Sequence, residues 1–271
     1  MEYKYILVER ERDALKITLN RPEVLNAMNI PMIEELMDVF RKVRDDGDVR
    51  FLIFTGSGEA FSSGADMKET GKSREEGLLS FIEERKVKQK LGHKFMRELE
   101  SLEQVTIGAV NGIAVGAGVA LLLACDFRIA SERARFYIPE TNVGIFFTWG
   151  CTPRLVKLVG PSKAKELIMT CDITDAEEAL RIGLVNKVVP HNSLMDEVQK
   201  FIDKIRKRSP LAIRLVKLVA NAYSTPIIGD LTLYEPELVR LCYVCEDADE
   251  AIRAFREKRE PRFTGKLRVE G

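Results

Sequence analysis

The sequence predicts an α/β fold followed by a helical C-terminal region. Two apolar segments, Tyr5–Glu11 and Ala14–Leu19, are typical of paired strands, and a helix and another strand follow them. The same order returns more loosely before residue 195. Beyond that point, apolar residues repeat at helical spacing to the end of the chain. We therefore divide the 271 residues into a core, 1–195, and a helical region, 196–271.

The first unit is justified by local signals. Arg12-Asp13 forms the expected turn between the two strands. Asn29 is a good N-cap for a helix that begins at Ile30-Pro31, because proline is tolerated in a first turn. The short apolar run Phe51–Phe54 then predicts a buried strand that ends at a glycine-containing turn.

The later elements follow from apolar periodicity and from glycine and proline positions. We predict strands over Val105–Val110, Phe127–Ala130, Arg135–Ile138 and Leu184–Val189. We predict helices over Gly77–Leu102, Gly116–Cys125, Leu155–Val159, Ser162–Thr170, Ala176–Ile182, Leu194–Lys207, Pro210–Ala222, Ile228–Cys245 and Asp247–Lys258.

Composition excludes several classes of function. The 42 basic and 42 acidic residues give a net charge of zero, so no basic surface for nucleic acid is expected. No apolar run is long enough to span a membrane, and the first residues do not resemble a signal peptide, so we expect a cytoplasmic protein. An odd number of cysteines argues against a disulfide framework. The two histidines lie in charged segments that we expect to be exposed, and we therefore expect no metal site.

Two glycine-rich segments are candidates for a binding site. In Ser63-Gly64-Ala65-Asp66, small residues allow a ligand to approach the backbone, and amide groups can point together at an anionic oxygen. A plain tight turn explains the same segment equally well.

The second segment contains Gly116-Ala117-Gly118. It is similar to a dinucleotide-binding fingerprint, but Leu121 stands where the third glycine belongs, which argues against NAD. The start of a helix still favours negative charge through its free amide groups. That property suits a developing oxyanion as well as a phosphate.

Glu140 is the candidate acid/base group. It follows the predicted strand Arg135–Ile138 and lies near aromatic and apolar residues. If it is buried, its pKa rises and it can exchange protons near neutral pH. The alternative is an exposed carboxylate in a turn.

Taken together, these segments resemble the enoyl-CoA hydratase/isomerase (crotonase) superfamily. The matching pieces occur in the family's order along nearly the whole chain. They are Ile17–Pro22, Asn26-Ala27, Phe61–Lys68, Ala109–Gly112, Gly116–Gly118, Ala124–Asp126, Pro139-Glu140, Gly144, Arg154-Leu155, Gly160, Ala179–Val189 and Phe255–Arg259.

The resemblance implies a spiral of repeated β-β-α units with a C-terminal helical trimerisation region, and a homotrimer or a dimer of trimers. It implies an acyl-CoA thioester as substrate and no separate cofactor. The amides of Ala65 and Ala117 would form an oxyanion hole, with Glu140 as the acid/base. The substrate would be lined by Val24, Leu25, Ser63, Ala65, Asp66, Met67, Lys68, Ala117, Ala120, Thr148, Phe255 and Lys258. Of these, Phe255 and Lys258 would reach a CoA bound to an adjacent subunit.

Departures from the family pattern bear on the reaction. Hydratases of the family carry a second glutamate where this chain has Ala120, and usually a glycine where it has Thr148. One carboxylate suits moving a proton between C2 and C4 of the acyl chain, so we expect double-bond isomerisation of an enoyl-CoA. The alternatives are hydration of an enoyl- or dienoyl-CoA by a single glutamate, other chemistry of the family such as decarboxylation or thioester hydrolysis, and a non-catalytic acyl-CoA binding protein.

Overall fold

The computed structural model describes residues 3–66, 78–232 and 235–266. Their strands are β1 Ile6–Glu11, β2 Ala14–Leu19, β3 Phe51–Gly56, β4 Ala60–Ser62, β5 Val105–Val110, β6 Ile113–Val115, β7 Phe127–Ser131, β8 Arg135–Tyr137, β9 Thr174–Asp175 and β10 Lys187–Val189. Their α-helices are α1 Ile30–Arg44, α2 Leu78–Glu100, α3 Ala117–Leu123, α4 Cys151–Val159, α5 Pro161–Thr170, α6 Ala176–Arg181, α7 Leu194–Arg206, α8 Pro210–Thr232, α9 Glu235–Val244 and α10 Asp247–Glu257.

The strands form two sheets, and the chain passes repeatedly from one to the other. The larger sheet has the order β1-β2-β3-β5-β7-β10, with β1 and β2 antiparallel and the other neighbours parallel. The smaller sheet has the order β4-β6-β8-β9. The units β3-β4-α2 and β5-β6-α3 each place one strand in each sheet before a helix. The expected repetition of β-β-α units is therefore confirmed.

The larger sheet is buried on both faces. Leu52 and Phe54 of β3 belong to the main core cluster, whereas Phe51 and Ile53 belong to a second cluster that includes Val198 of α7. Burial on both faces explains why Phe51–Phe54 is apolar throughout instead of alternating. At the start of α1, the side chain of Asn29 accepts a hydrogen bond from the Met32 amide, as its predicted capping role requires.

The helical C-terminal region differs from the prediction in one place. A helix was expected to begin at Ile228, but α8 continues from Pro210 to Thr232 and α9 begins at Glu235. Apolar periodicity runs through this stretch without marking where α8 ends and α9 begins. Among the residues that the structure describes, no helix is both long and apolar enough to cross a membrane.

Candidate active site

An apolar cavity of about 170 Å³ lies between the core and the last two helices. Ala65 and Asp66 line it from the segment after β4, and Ala117 and Ala120 line it from α3. Its remaining lining comes from α1, α2, the segment 140–151 and the C-terminal helices: Met28, Ile30, Ile33, Lys88, Gln89, Leu91, Glu140, Val143, Ile145, Phe147, Thr148, Trp149, Cys151, Tyr243, Ala248, Ala251, Ile252 and Phe255.

Ala65 presents a free amide at this cavity. Two amides that lie near it in space are occupied: the Met28 amide donates to the Gly64 carbonyl at 2.7 Å, and the Asp66 amide donates to the Met28 carbonyl at 3.0 Å. Gly64, just before Ala65, has a φ of +94° and turns the chain at this point. Within the described residues the Ala65 amide has no acceptor, so it remains available to a ligand.

Ala117 presents a second free amide. It is the first residue of α3, and Gly116 precedes it with φ of +44°. The amides of a first helical turn have no partner within the helix and carry partial positive charge. Ala65 and Ala117 thus supply two hydrogen-bond donors to one apolar cavity.

Glu140 contributes a carboxylate to the cavity, and one of its oxygen atoms is buried without a hydrogen-bond partner. It begins a short 3-10 helix, Glu140–Val143, directly after β8. The residue as a whole is partly exposed, but its Oε2 atom is buried and lacks a hydrogen-bond partner. Burial raises the pKa of this carboxyl to about 7 and outweighs the lowering effect of a hydrogen bond from its own backbone amide.

Gly116 lies directly against this carboxylate. A Cβ atom at Gly116 would lie 2.8 Å from Oε1 of Glu140, in addition to the cost of a positive φ. The backbone of the second glycine-rich segment and the Glu140 carboxylate therefore approach each other closely.

The other titratable groups on the lining are held differently. Asp66 pairs with Arg21 at 2.9 Å, and Arg21 also donates to the Ala27 carbonyl. Burial raises the pKa of the Cys151 thiol well above its usual range, so the thiol stays neutral. Of the two carboxylates on the described lining, Asp66 has an ion-pair partner and Glu140 has none among the described residues.

The structure brings together most of the site residues that the sequence predicted. Ala65, Asp66, Ala117, Ala120, Glu140, Thr148 and Phe255 all line the cavity. Val24, Leu25 and Ser63 do not line it; the side chain and amide of Ser63 donate hydrogen bonds to the carbonyl oxygens of Val24 and Leu25, which joins the three residues to one another. Met67 and Lys68 lie outside the described residues.

One expectation about α2 needs correction, and one about the C-terminal region stays a prediction. Phe255 of α10 lines the cavity of its own chain and is 66% exposed, and its expected contact with a CoA bound to an adjacent subunit stays a prediction. Lys258, just past α10, is exposed and does not line it. His93 was expected to be exposed, but it is only 8% exposed, since α9 covers that face of α2.

Several lining residues were not predicted from the sequence. Gln89 of α2 and Tyr243 of α9 belong to amphipathic helices, and nothing in their local pattern distinguishes cavity-facing positions from core positions. The described residues contain no cluster of side chains suited to a metal ion.

Comparison with known proteins agrees with this architecture. The family model for enoyl-CoA hydratase/isomerase matches residues 9–266. The chain belongs to this family. A crotonyl-CoA hydratase of Syntrophomonas wolfei is 40% identical over 267 residues, which are 98% of this chain and 100% of the relative. A short-chain-enoyl-CoA hydratase of Clostridium acetobutylicum is 40% identical over 261 residues, 96% of this chain and 97% of the relative.

Solved structures of family members share the fold. An enoyl-CoA hydratase from Mycobacterium avium subsp. paratuberculosis has a TM-score of 0.83 at 27% identity, covering 97% of this chain and 100% of its own. An enoyl-CoA hydratase/isomerase from Pseudoalteromonas atlantica has a TM-score of 0.84 at 28% identity, with 96% and 100% covered. The crotonase-like fold expected from the sequence is thus confirmed, and an acyl-CoA thioester is the class of substrate consistent with these relatives.

Proposed function

We propose that this enzyme hydrates a short-chain trans-2-enoyl-CoA through a thioester enolate. Glu140 is the single acid/base group, and the amides of Ala65 and Ala117 form the oxyanion hole. The observation that carries the proposal is a buried, unpaired carboxylate with a pKa of about 7 in the same cavity as two free amides. Hydration, rather than isomerisation, is chosen because the two relatives at 40% identity are named as hydratases.

The two amides stabilise charge that develops during the reaction. When a nucleophile adds to C3 of the enoyl thioester, the π electrons move toward the thioester oxygen. Fixed donors aimed at that oxygen are effective in an apolar cavity, where one such donor contributes about 3–4 kcal/mol to the barrier. Within the described residues, neither amide has to give up another hydrogen bond to do so.

Glu140 acts first as the general base and then as the general acid. As a carboxylate it accepts a proton from a water molecule while the water oxygen bonds to C3, and the enolate forms. The resulting carboxylic acid returns that proton to C2, so the net change is addition of one water and Glu140 ends as it began. A pKa near the working pH suits a group that must both accept and donate a proton.

Isomerisation is the second candidate, and Ala120 favours it. Ala120 lines the cavity and is 1% exposed, so no second carboxylate on α3 helps to hold a water. Glu140 would then take a proton from C2 of a 3-enoyl-CoA and return it to C4 of the dienolate. A non-catalytic acyl-CoA binding protein would use the same cavity without turnover.

A pair of substrates separates these functions. We expect the enzyme to convert trans-2-butenoyl-CoA into a product heavier by one water, detected by mass spectrometry. Conversion of 3-butenoyl-CoA to 2-butenoyl-CoA as the faster reaction would favour isomerisation. Binding of both thioesters without any product would favour the binder. Replacing Glu140 with Gln should lower turnover by roughly 10²–10⁴-fold and leave thioester binding in place.

The helical region also bears on assembly. One face of α8 is apolar and more than half exposed, through Leu211, Leu215, Val216, Leu218 and Val219. Such a face is typical of a surface that a partner covers. We therefore propose that copies of this chain associate through α8 as a homotrimer or a dimer of trimers, which sedimentation equilibrium would test.

A further inference from the structure

One part of the cavity lining is held in an unfavourable backbone conformation. We call residues 147–151 the aromatic wall; Phe147, Thr148, Trp149 and Cys151 of this segment line the cavity. Trp149 has a φ of +61°, which a bulky side chain rarely adopts. Such a conformation persists only when the surrounding structure holds it in place.

The indole of Trp149 fits against α2 because residue 92 is glycine. A Cβ atom at Gly92 would lie 2.2 Å from the Cε2 and Nε1 atoms of the indole. Leu91 and Gln89 of the same helix also line the cavity. The indole therefore occupies the space between α2 and the cavity and limits the room available to an acyl chain.

Two side chains, Arg154 and Glu235, hydrogen-bond to the backbone of the aromatic wall from opposite sides. On the core side, Arg154 donates to the Gly150 carbonyl at 2.7 Å and to the Trp149 carbonyl at 3.3 Å. Arg154 is itself fixed by Glu100, with Nε–Oε1 and Nη2–Oε2 distances of 2.6 and 2.5 Å.

On the other side, the holding group comes from the C-terminal region. Oε2 of Glu235, the first residue of α9, accepts the Gly150 amide at 2.8 Å. Glu235 is 4% exposed, and its Oε2 also lies 3.2 Å from Nε2 of His93 on α2. The contact with Gly150 is a hydrogen bond, whereas Nε2 of His93 makes no hydrogen bond within the described residues. A carboxylate that is buried and bonded to a backbone amide supports that backbone rather than facing solvent.

We propose that Glu235 is a positioning residue that fixes the aromatic wall and thereby sets the acyl-chain length that the cavity accepts. Glu235 does not line the cavity, so it acts through Gly150 and Trp149 rather than on the substrate. The proposal rests on the proposed function, because a chain-length preference requires an acyl-CoA substrate. It also makes substrate selection depend on docking of α9 against the core.

The test is the ratio of kcat/KM values across a series of trans-2-enoyl-CoA substrates from butenoyl to decenoyl. Glu235→Leu removes the acceptor for the Gly150 amide and frees the wall. We expect the octenoyl-to-butenoyl ratio to rise about tenfold, since each misfitted methylene in an apolar pocket is worth roughly 10- to 200-fold. Glu235→Gln keeps an oxygen that can accept the Gly150 amide and should retain the wild-type ratio.

Two further variants distinguish an effect on the aromatic wall from a general effect on docking of the C-terminal region. Lys217→Met is the matched control: Lys217 of α8 forms a part-buried ion pair with Asp126 at 2.7 Å, so it also joins the C-terminal region to the core, but neither residue lines the cavity. It should leave the ratio unchanged. Gly92→Ala disturbs the indole from the opposite side, and the added methyl should lower kcat/KM for the longer substrates first.

The outcomes separate this proposal from the one it rests on. An unchanged ratio in Glu235→Leu, or the same rise in Lys217→Met, would overturn the positioning role while turnover by the wild-type enzyme still supported the proposed function. If Glu235→Leu does not fold, an altered ratio in Glu235→Gln or an unaltered one in Gly92→Ala contradicts the proposal. Failure of the wild-type enzyme to convert any thioester in the series would instead remove the proposed function.

Discussion

Replacing Glu140 with Gln is expected to stabilise the folded protein at alkaline pH while it removes activity. In the wild-type protein the carboxyl has a pKa of about 7, against an ordinary value of 4.5, because its charged form is buried. Between these two values the unfolded chain has released its proton and the folded chain has kept it. Stability of the wild-type protein therefore falls as the pH rises from about 4.5 to 7, and the full cost is present above 7.

The size of the effect follows from the two pKa values. A difference between 4.5 and about 7, at about 1.4 kcal/mol for each pH unit, gives about 3 kcal/mol. The glutamine side chain does not titrate, so this cost is absent from the variant at every pH. Any cost of burying the amide itself is independent of pH and cancels when the pH dependence is compared.

The assay is thermal unfolding of both proteins from pH 5 to pH 8. Above neutrality, about 3 kcal/mol corresponds to a higher midpoint for the variant by roughly 6–12 °C relative to its position at low pH. Replacing Glu177, an exposed glutamate on α6, with Gln is the control and should give no comparable change. Parallel curves for the wild-type and Glu140→Gln proteins would refute the conclusion that this carboxylate carries a buried charge.

Of three other predictions, two concern the same site and the third concerns the stability of the fold. The value of kcat/KM should fall about tenfold for each pH unit below 7, because only the carboxylate form of Glu140 accepts a proton; a flat profile from pH 5 to 8 would argue against it. Gly116→Ala should lower kcat by about 10²-fold, since the new methyl would lie 2.8 Å from the Glu140 carboxylate; unchanged kcat would mean that the carboxylate position is not critical. Asn26→Ala should cost about 3 kcal/mol in urea unfolding, because this buried side chain bonds the carbonyls of Ser57 and Ala60 at 2.8 and 2.9 Å. A loss below about 1 kcal/mol would contradict that role.

Local signals predicted those parts of the fold that local interactions decide. Asn29 begins α1 through a contact three residues away, and the pair β1 and β2 needs only a short turn. The smaller sheet was largely missed, because strands such as Ala60–Ser62 and Ile113–Val115 are three residues long. A strand that short shows no periodicity, and its partners lie far away along the chain.

In the candidate site, too, features set by local sequence were predicted and features set by distant segments were not. The two glycine-rich segments were recognised locally as candidate binding loops, but the amides of Ala65 and Ala117 within them were identified only through the family resemblance. The burial of Glu140 was left open by the sequence, because it depends on segments far away along the chain, including the C-terminal helices that line the same cavity. His93 was misjudged for a related reason: its neighbours in sequence are charged, but α9 buries the face on which it lies.

The central claim is that Glu140 and the two free amides together form and control a thioester enolate. The most direct measurement is exchange of the C2 protons of butanoyl-CoA, a saturated thioester, with D₂O in the presence of the enzyme, followed by NMR. It requires enolate formation but neither hydration nor isomerisation. We predict exchange with the wild-type enzyme and its loss in Glu140→Gln. Exchange at equal rates in both proteins would contradict the assignment of Glu140 as the base.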